Sequence, residues 1–173
     1  MTVPALPPDD EAALVAELTR GALAESLPEE LALFEAETGT FLRGELPAGG
    51  PGDEVLGFGT DAVLLLTPYV VAAATAAVRY VATVFLDTAK AEATPALAAW
   101  MRRVMHRGAA GVPAAAASGP PPPPSPDGPM LTAAMIAEVH QVTLDVCRRL
   151  GLDPVDASLV SDAVTGRLAV ASA

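Results

Sequence analysis

The chain has 173 residues and a formal net charge of −11, and it is 51% hydrophobic but only 4% aromatic. Much of the apolar content is alanine, which buries little area per residue but has the best helix propensity, so composition favours helices around a thin core. The acidic balance argues against nucleic-acid phosphate as a partner. A single cysteine, Cys147, excludes an intramolecular disulfide and fits a reducing cytoplasm.

The charge is unevenly placed. Residues 1–61 hold 13 acids against Arg20 and Arg43, whereas residues 62–107 carry five bases against Asp87 and Glu92. The N-terminal stretch MTVPALPPDDEAAL has neither a basic n-region nor an apolar h-region and does not read as a signal peptide.

In chain order, Asp9 and Asp10 open a predicted helix through about Glu25, with Leu14, Val15, Leu18, Ala22 and Leu23 on one face. Ser26-Leu-Pro-Glu29 reads as a capping box with a first-turn proline. The helix that follows runs to about Arg43 and places Leu31, Phe34, Phe41 and Leu42 on its apolar side. Residues 44–53 (GELPAGGPGD) are breaker-rich and predict a loop.

Residues 62–86 contain one charge, Arg79. Thr67-Pro68 resembles an N-cap followed by a first-turn proline and starts a long helix. Along it Thr75, Arg79, Thr83 and Asp87 recur every four residues, a narrow polar stripe on an apolar cylinder. Thr94-Pro95 repeats the start signal for a segment with Leu97, Trp100, Met101, Val104 and Met105 at helical spacing. Arg102, Arg103, His106 and Arg107 form its other face.

Residues 108–129 (GAAGVPAAAASGPPPPPSPDGP) lack apolar periodicity and predict a disordered, semi-rigid proline linker. Residues 130–173 predict a helical hairpin. Thr132 caps a first helix with Ile136, Val139, Thr143, Val146 and Leu150 in a three-four rhythm, and Gly151 ends it. Asp153-Pro154 starts a second helix with Leu159, Val160, Ala163, Val164 and Leu168 as its inner face. The expected architecture is all-α: a helical module over 9–107 with an apolar core helix, a linker over 108–129 and a hairpin over 130–173.

Little in the chain points to catalysis. Gly57-Phe-Gly59-Thr-Asp-Ala62 fits a dinucleotide-loop string, but no strand precedes it, and a glycine turn before a buried helix accounts for it. His140 and Cys147 are seven residues apart, about 10 Å along a helix, too far for a nucleophile–base pair. Cys147 reads instead as a small buried hydrophobe. There is no HExxH, GxSxG or phosphate loop. No catalytic residue, metal site or cofactor is expected. The hairpin has helix-turn-helix order, but its second helix offers Asp156, Asp162 and only Arg167 to a base edge.

The string LTAAMIAEVHQVTLDVCRRLGLDPVDASLVSDAVTGRLA, with the preceding GFGTDAVLLLTPYVV block, is similar to small actinobacterial-type proteins of bacterial conflict systems, the CATRA-associated small proteins. The resemblance covers about half the chain and rests on pattern. It implies an accessory role in defence or signalling beside caspase-like peptidases and TPR-repeat proteins, with no catalytic residues to carry over.

The functional expectation is a non-enzymatic, cytoplasmic helical adaptor that binds a protein partner, or self-associates, through Ile136, Val139, Leu159 and Leu168. The alternative is membrane association on the cytoplasmic side. Residues 62–86 are long enough to enter a bilayer, and Trp100, Arg102, Arg103 and Arg107 suit an anionic lipid surface.

Overall fold

The computed structural model describes residues 6–45, 65–88 and 131–172, and every regular element among them is an α-helix. In chain order these are α1 (Pro8–Ser26), α2 (Pro28–Leu42), α3 (Thr67–Thr88), α4 (Ala133–Arg149) and α5 (Pro154–Ser172). The segment 94–107, the linker 108–129 and the glycine string 57–62 lie outside the described residues.

Local signals explain most helix ends. Asp9, Asp10 and Glu11 occupy the first turn of α1, where the exposed amides and helix dipole favour acids. The Thr132 hydroxyl accepts from the Met135 amide at 3.2 Å and caps α4, whose last turn carries Arg148 and Arg149. Gly151, at φ +85°, then reverses the chain. Its amide donates to the Arg148 carbonyl and that of Leu152 to the Cys147 carbonyl, the paired bonds of a Schellman end. The Asp153 carboxylate accepts from the amides of Val155 and Asp156 and caps α5.

The first corner is built differently from its prediction. The Ser26–Glu29 capping box does not form: Ser26 is the last residue of α1, and Leu27, with no side-chain cap, separates the helices. The Leu27 amide still bonds the Leu23 carbonyl and Leu27 itself is buried, so apolar burial holds this corner. Within α2 the backbone leaves helical geometry at Glu37, and the adjacent Thr38 hydroxyl donates to the Phe34 carbonyl at 2.7 Å. Such back-bonding loosens the helical ladder and accompanies bends.

α3 sits at the centre. Ala73, Ala74 and Ala77 are fully buried, together with Val70, Val78 and Val81. A helix that is apolar on most sides needs several neighbours to cover it, and α3 packs against α1, α2, α4 and α5. Its start is fastened from outside. The Glu30 carboxylate of α2 accepts from the Leu66 amide (3.0 Å), the Thr67 amide (2.7 Å) and the Thr67 hydroxyl (2.6 Å). Thr67 is therefore not the cap its sequence position suggests; it donates to the residue that is.

α3 and α4 run antiparallel. Tyr80 bonds Glu138 near one end, while Pro68, Tyr69 and Ala72 share a groove with Val146 and Leu150 near the other. α4 and α5 form the expected hairpin, but it does not stand apart. α4 packs on α3, α5 packs on both α1 and α3, and the buried residues of all five helices form one core. The long connection from α3 to α4 does not oppose this docking, because loop-closure entropy grows only logarithmically with length.

Candidate interaction surfaces

The four hairpin residues expected to meet a partner separate in the fold. Val139 and Leu168 are buried in the core at 1% and 3% exposure, and Ile136 is half-buried against it. Leu159 is exposed at 40%. Thus Leu159 does not belong to the inner face of α5, which is made by Ala157, Val160, Ala163, Val164 and Leu168. On α4 the buried set is Val139, Thr143, Leu144 and Cys147. That set is rotated from the expected one: Val146 is half-buried and Leu150 is exposed. Trp100, Arg102, Arg103 and Arg107 lie outside the described residues.

The outward turn of Leu159 on α5 has a physical cause. Arg167, only 6% exposed, lies across α1, where an added Cβ on Gly21 would stand 2.4 Å from its Nε. Glycine at this position lets the arginine stem pass, and the Glu25 carboxylate stands 3.8 Å from the guanidinium. Ser161 and Thr165 are also buried. With these polar residues turned inward, Leu159 turns outward.

The result is an apolar line on the outside of α5. Val155 (76% exposed), Leu159 and Val170 (58% exposed) follow one another on a single helical face, with Gly166 and Asp162 between them. The line runs for about 22 Å at 1.5 Å per residue. Asp162 is tied across to α4, its Oδ1 standing 3.0 Å from His140 Nε2. His140 thus braces the hairpin from a position far from Cys147.

Burial and local hydrogen bonds shift three further titratable groups of the hairpin. Cys147 is fully buried, and that burial pushes its thiol up. A thiol held protonated is a poor nucleophile and packs as a hydrophobe. At the start of α5, Asp153 is held below the usual carboxylate range by the Asp156 side chain first and then by the Asp156 and Val155 amides. Asp156 is pushed up by that same side-chain bond. Among the described residues no group of three or more His, Cys, Asp or Glu is placed to hold a metal ion.

Separately, α2, α3 and α4 enclose a groove of about 660 Å³. Its apolar lining includes Phe41, Leu42, Tyr69, Val71, Val146 and Leu150. A smaller hollow of about 260 Å³ continues it past Leu42, Thr75 and Arg79 to Pro8 and Val15 of α1. The polar stripe of α3 borders this trough. The Thr75 and Thr83 hydroxyls bond back to the Val71 and Arg79 carbonyls, and Arg79 Nε donates to Glu11 at 2.7 Å.

Within α3, Thr67–Phe85 is long and apolar enough to cross a membrane by length and composition, and 44% of its most apolar stretch is buried against the other helices. A core helix meets the same criterion. Sequence reasoning marked this helix and Leu159, but neither the groove nor the outward stripe; the three- and four-residue steps from Val155 through Leu159, Asp162 and Gly166 to Val170 were the available signal. Set against known proteins, the chain matches no family model, no curated protein and no solved structure.

Proposed function

We propose that this protein is a non-enzymatic helical adaptor that docks an amphipathic helix of a protein partner along the outer face of α5. One observation carries the reading: Val155, Leu159 and Val170 hold an apolar line in solvent on a helix whose opposite face is locked into the core. Gly166 leaves open space above the backbone, which permits close approach of another helix. Asp162 within the line and Asp153 and Asp156 near its start are acidic, so the fitting partner carries Lys or Arg beside its apolar seam.

The resemblance of the hairpin string to CATRA-associated small proteins supports a cytoplasmic accessory role in a bacterial conflict or signalling system. A caspase-like or TPR-repeat protein is the partner that resemblance suggests. The reading assigns no catalytic residue and requires no cofactor. Its test is a photo-crosslinking residue placed at position 159 of the full chain in its native host. A single crosslinked protein, lost when Val155→Asp is added, supports the adaptor. Crosslinks to a second copy alone replace the partner with self-association, and diffuse crosslinks unaffected by Val155→Asp defeat it.

A second reading, membrane contact, is favoured by the length and apolarity of Thr67–Phe85. A spanning α3 must give up its bonds from Glu30, Glu11 and Glu138. Sedimentation of the full chain with vesicles, unchanged by salt, is the outcome that supports it; salt-sensitive binding points to surface contact alone.

A further inference from the structure

We propose that the groove between α2, α3 and α4 is the seat of the chain's own residues 95–107. The groove and its extension form an apolar trough beside α3, with Ala72 and Ala76 in its wall, Glu45 of the Arg43–Glu45 pair at its rim and the Glu11–Arg79 pair bordering it. Such a trough takes a helix that presents bulky apolar groups on one side and positive charge on the other. The segment 95–107 has that pattern: Leu97, Trp100, Met101, Val104 and Met105 at helical spacing, opposite Arg102, Arg103 and Arg107.

Topology and charge favour this occupant over an external one. Because α3 and α4 are antiparallel, Thr88 and Ala133 lie at the same end of the bundle, and a few residues would join them. The sequence instead has residues 89–132 between them. Thr75, beside the trough, is about 20 Å back along α3 from Thr88, and residues 89–94 span about 20 Å when extended. The remaining chain to Ala133 has length to spare. A tethered segment also meets its seat at an effective concentration on the order of millimolar. Residues 1–61, which supply α1 and α2, carry 13 acids against two bases, so their field attracts the most basic stretch of the chain.

Trp100 is the only tryptophan, so its emission reports the seat directly. In the full chain, without lipid, its emission is expected to be blue-shifted, shielded from acrylamide and independent of protein concentration. Ala76→Glu, at a half-buried position in the groove wall, is expected to shift emission to the red and raise acrylamide quenching about threefold or more, with helical circular dichroism retained. Should that variant lose its fold, Ala76→Cys with Met101→Cys in a Cys147→Ser background gives the same information through rapid intramolecular disulfide formation. The proposal is overturned if Trp100 is solvent-exposed in the free protein, if it becomes shielded only on adding anionic vesicles, or if shielding rises with protein concentration as in a second-copy contact. Absence of the intramolecular disulfide overturns it as well.

Discussion

The two faces of α5 are made from similar residues and do opposite things. Val160, Val164 and Leu168 on the inner face are buried against the bundle, whereas Val155, Leu159 and Val170 on the outer face remain in solvent. Hydrophobicity does not separate them, since both are aliphatic lines at helical spacing. The inward turn of Ser161, Thr165 and Arg167 does, with Gly21 making room on α1. An interaction surface can therefore be set by where a helix hides its polar residues as much as by where it shows its apolar ones.

The strongest way to break the contrast is to charge the inner face. Val164→Asp buries an unpaired carboxylate at a fully enclosed position and is expected to cost about 4 kcal/mol, close to or beyond the stability of a small domain. Urea unfolding checks it, and a midpoint unchanged from the native chain would mean that α5 is not locked in place. The next effect concerns the clearance at α1. Gly21→Ala drives a Cβ into the Arg167 stem and is expected to destabilise by about 1–3 kcal/mol, partly offset by about 1 kcal/mol of gained helix propensity. In an Arg167→Ala background the same change should be neutral or stabilising. A double-mutant cycle measures the difference, and additivity would remove the stated reason for the register of α5.

Leu159→Asp sharpens the contrast from the other side. It is expected to leave the unfolding midpoint within about 0.5 kcal/mol of the native chain, while abolishing crosslinking of a partner at neighbouring outer-face positions. Loss of the fold would mean that Leu159 is core after all. The smallest effect is acid dependence at the start of α5. The depressed carboxyl of Asp153 contributes stability that is present above its unfolded value of 3.8 and lost as pH falls through its lower folded value. Asp156, pushed up, has the opposite sign: its contribution is present at low pH and lost as pH rises through its folded value. Asp153→Asn keeps a good capping side chain and removes both contributions of the pair; what the native chain has beyond their mutual bond is the hold of the Asp156 and Val155 amides on the Asp153 carboxylate, which acid releases. Its melting temperature is therefore expected to fall less than the native chain's between about pH 5 and 2, checked by thermal scans across that range.

Local chemistry was legible where one short string decides the outcome. Gly151, Asp153 and Pro154 specify a Schellman end and a capped start within a few residues, and the fold contains both. Thr132 capped as its position predicts. The string Ser26–Glu29 offered an equally good local signal, yet no capping box formed there. Burial of Leu27 overrode it, and the neighbouring Glu30 serves a helix 36 residues further on. The apolar faces of α1 and α2 followed their periodicity, whereas adjacent Leu159 and Val160 left the rotation of α5 open. Only contacts with α1 resolved it, and those depend on Gly21, which no apolar pattern marks. The groove drew its walls from three helices and so had no signature in any one of them.

The fastening of α3 by Glu30 bears on how the protein opens. A helix start normally frays, and its first amides exchange with solvent at a low free-energy cost. Here the Leu66 and Thr67 amides are held by a carboxylate on a separate helix. Releasing them requires α2 to withdraw, so their hydrogen–deuterium exchange should report detachment of that helix. In Glu30→Gln the same two amides should exchange as an ordinary helix end does, while amides in the middle of α3 keep their protection.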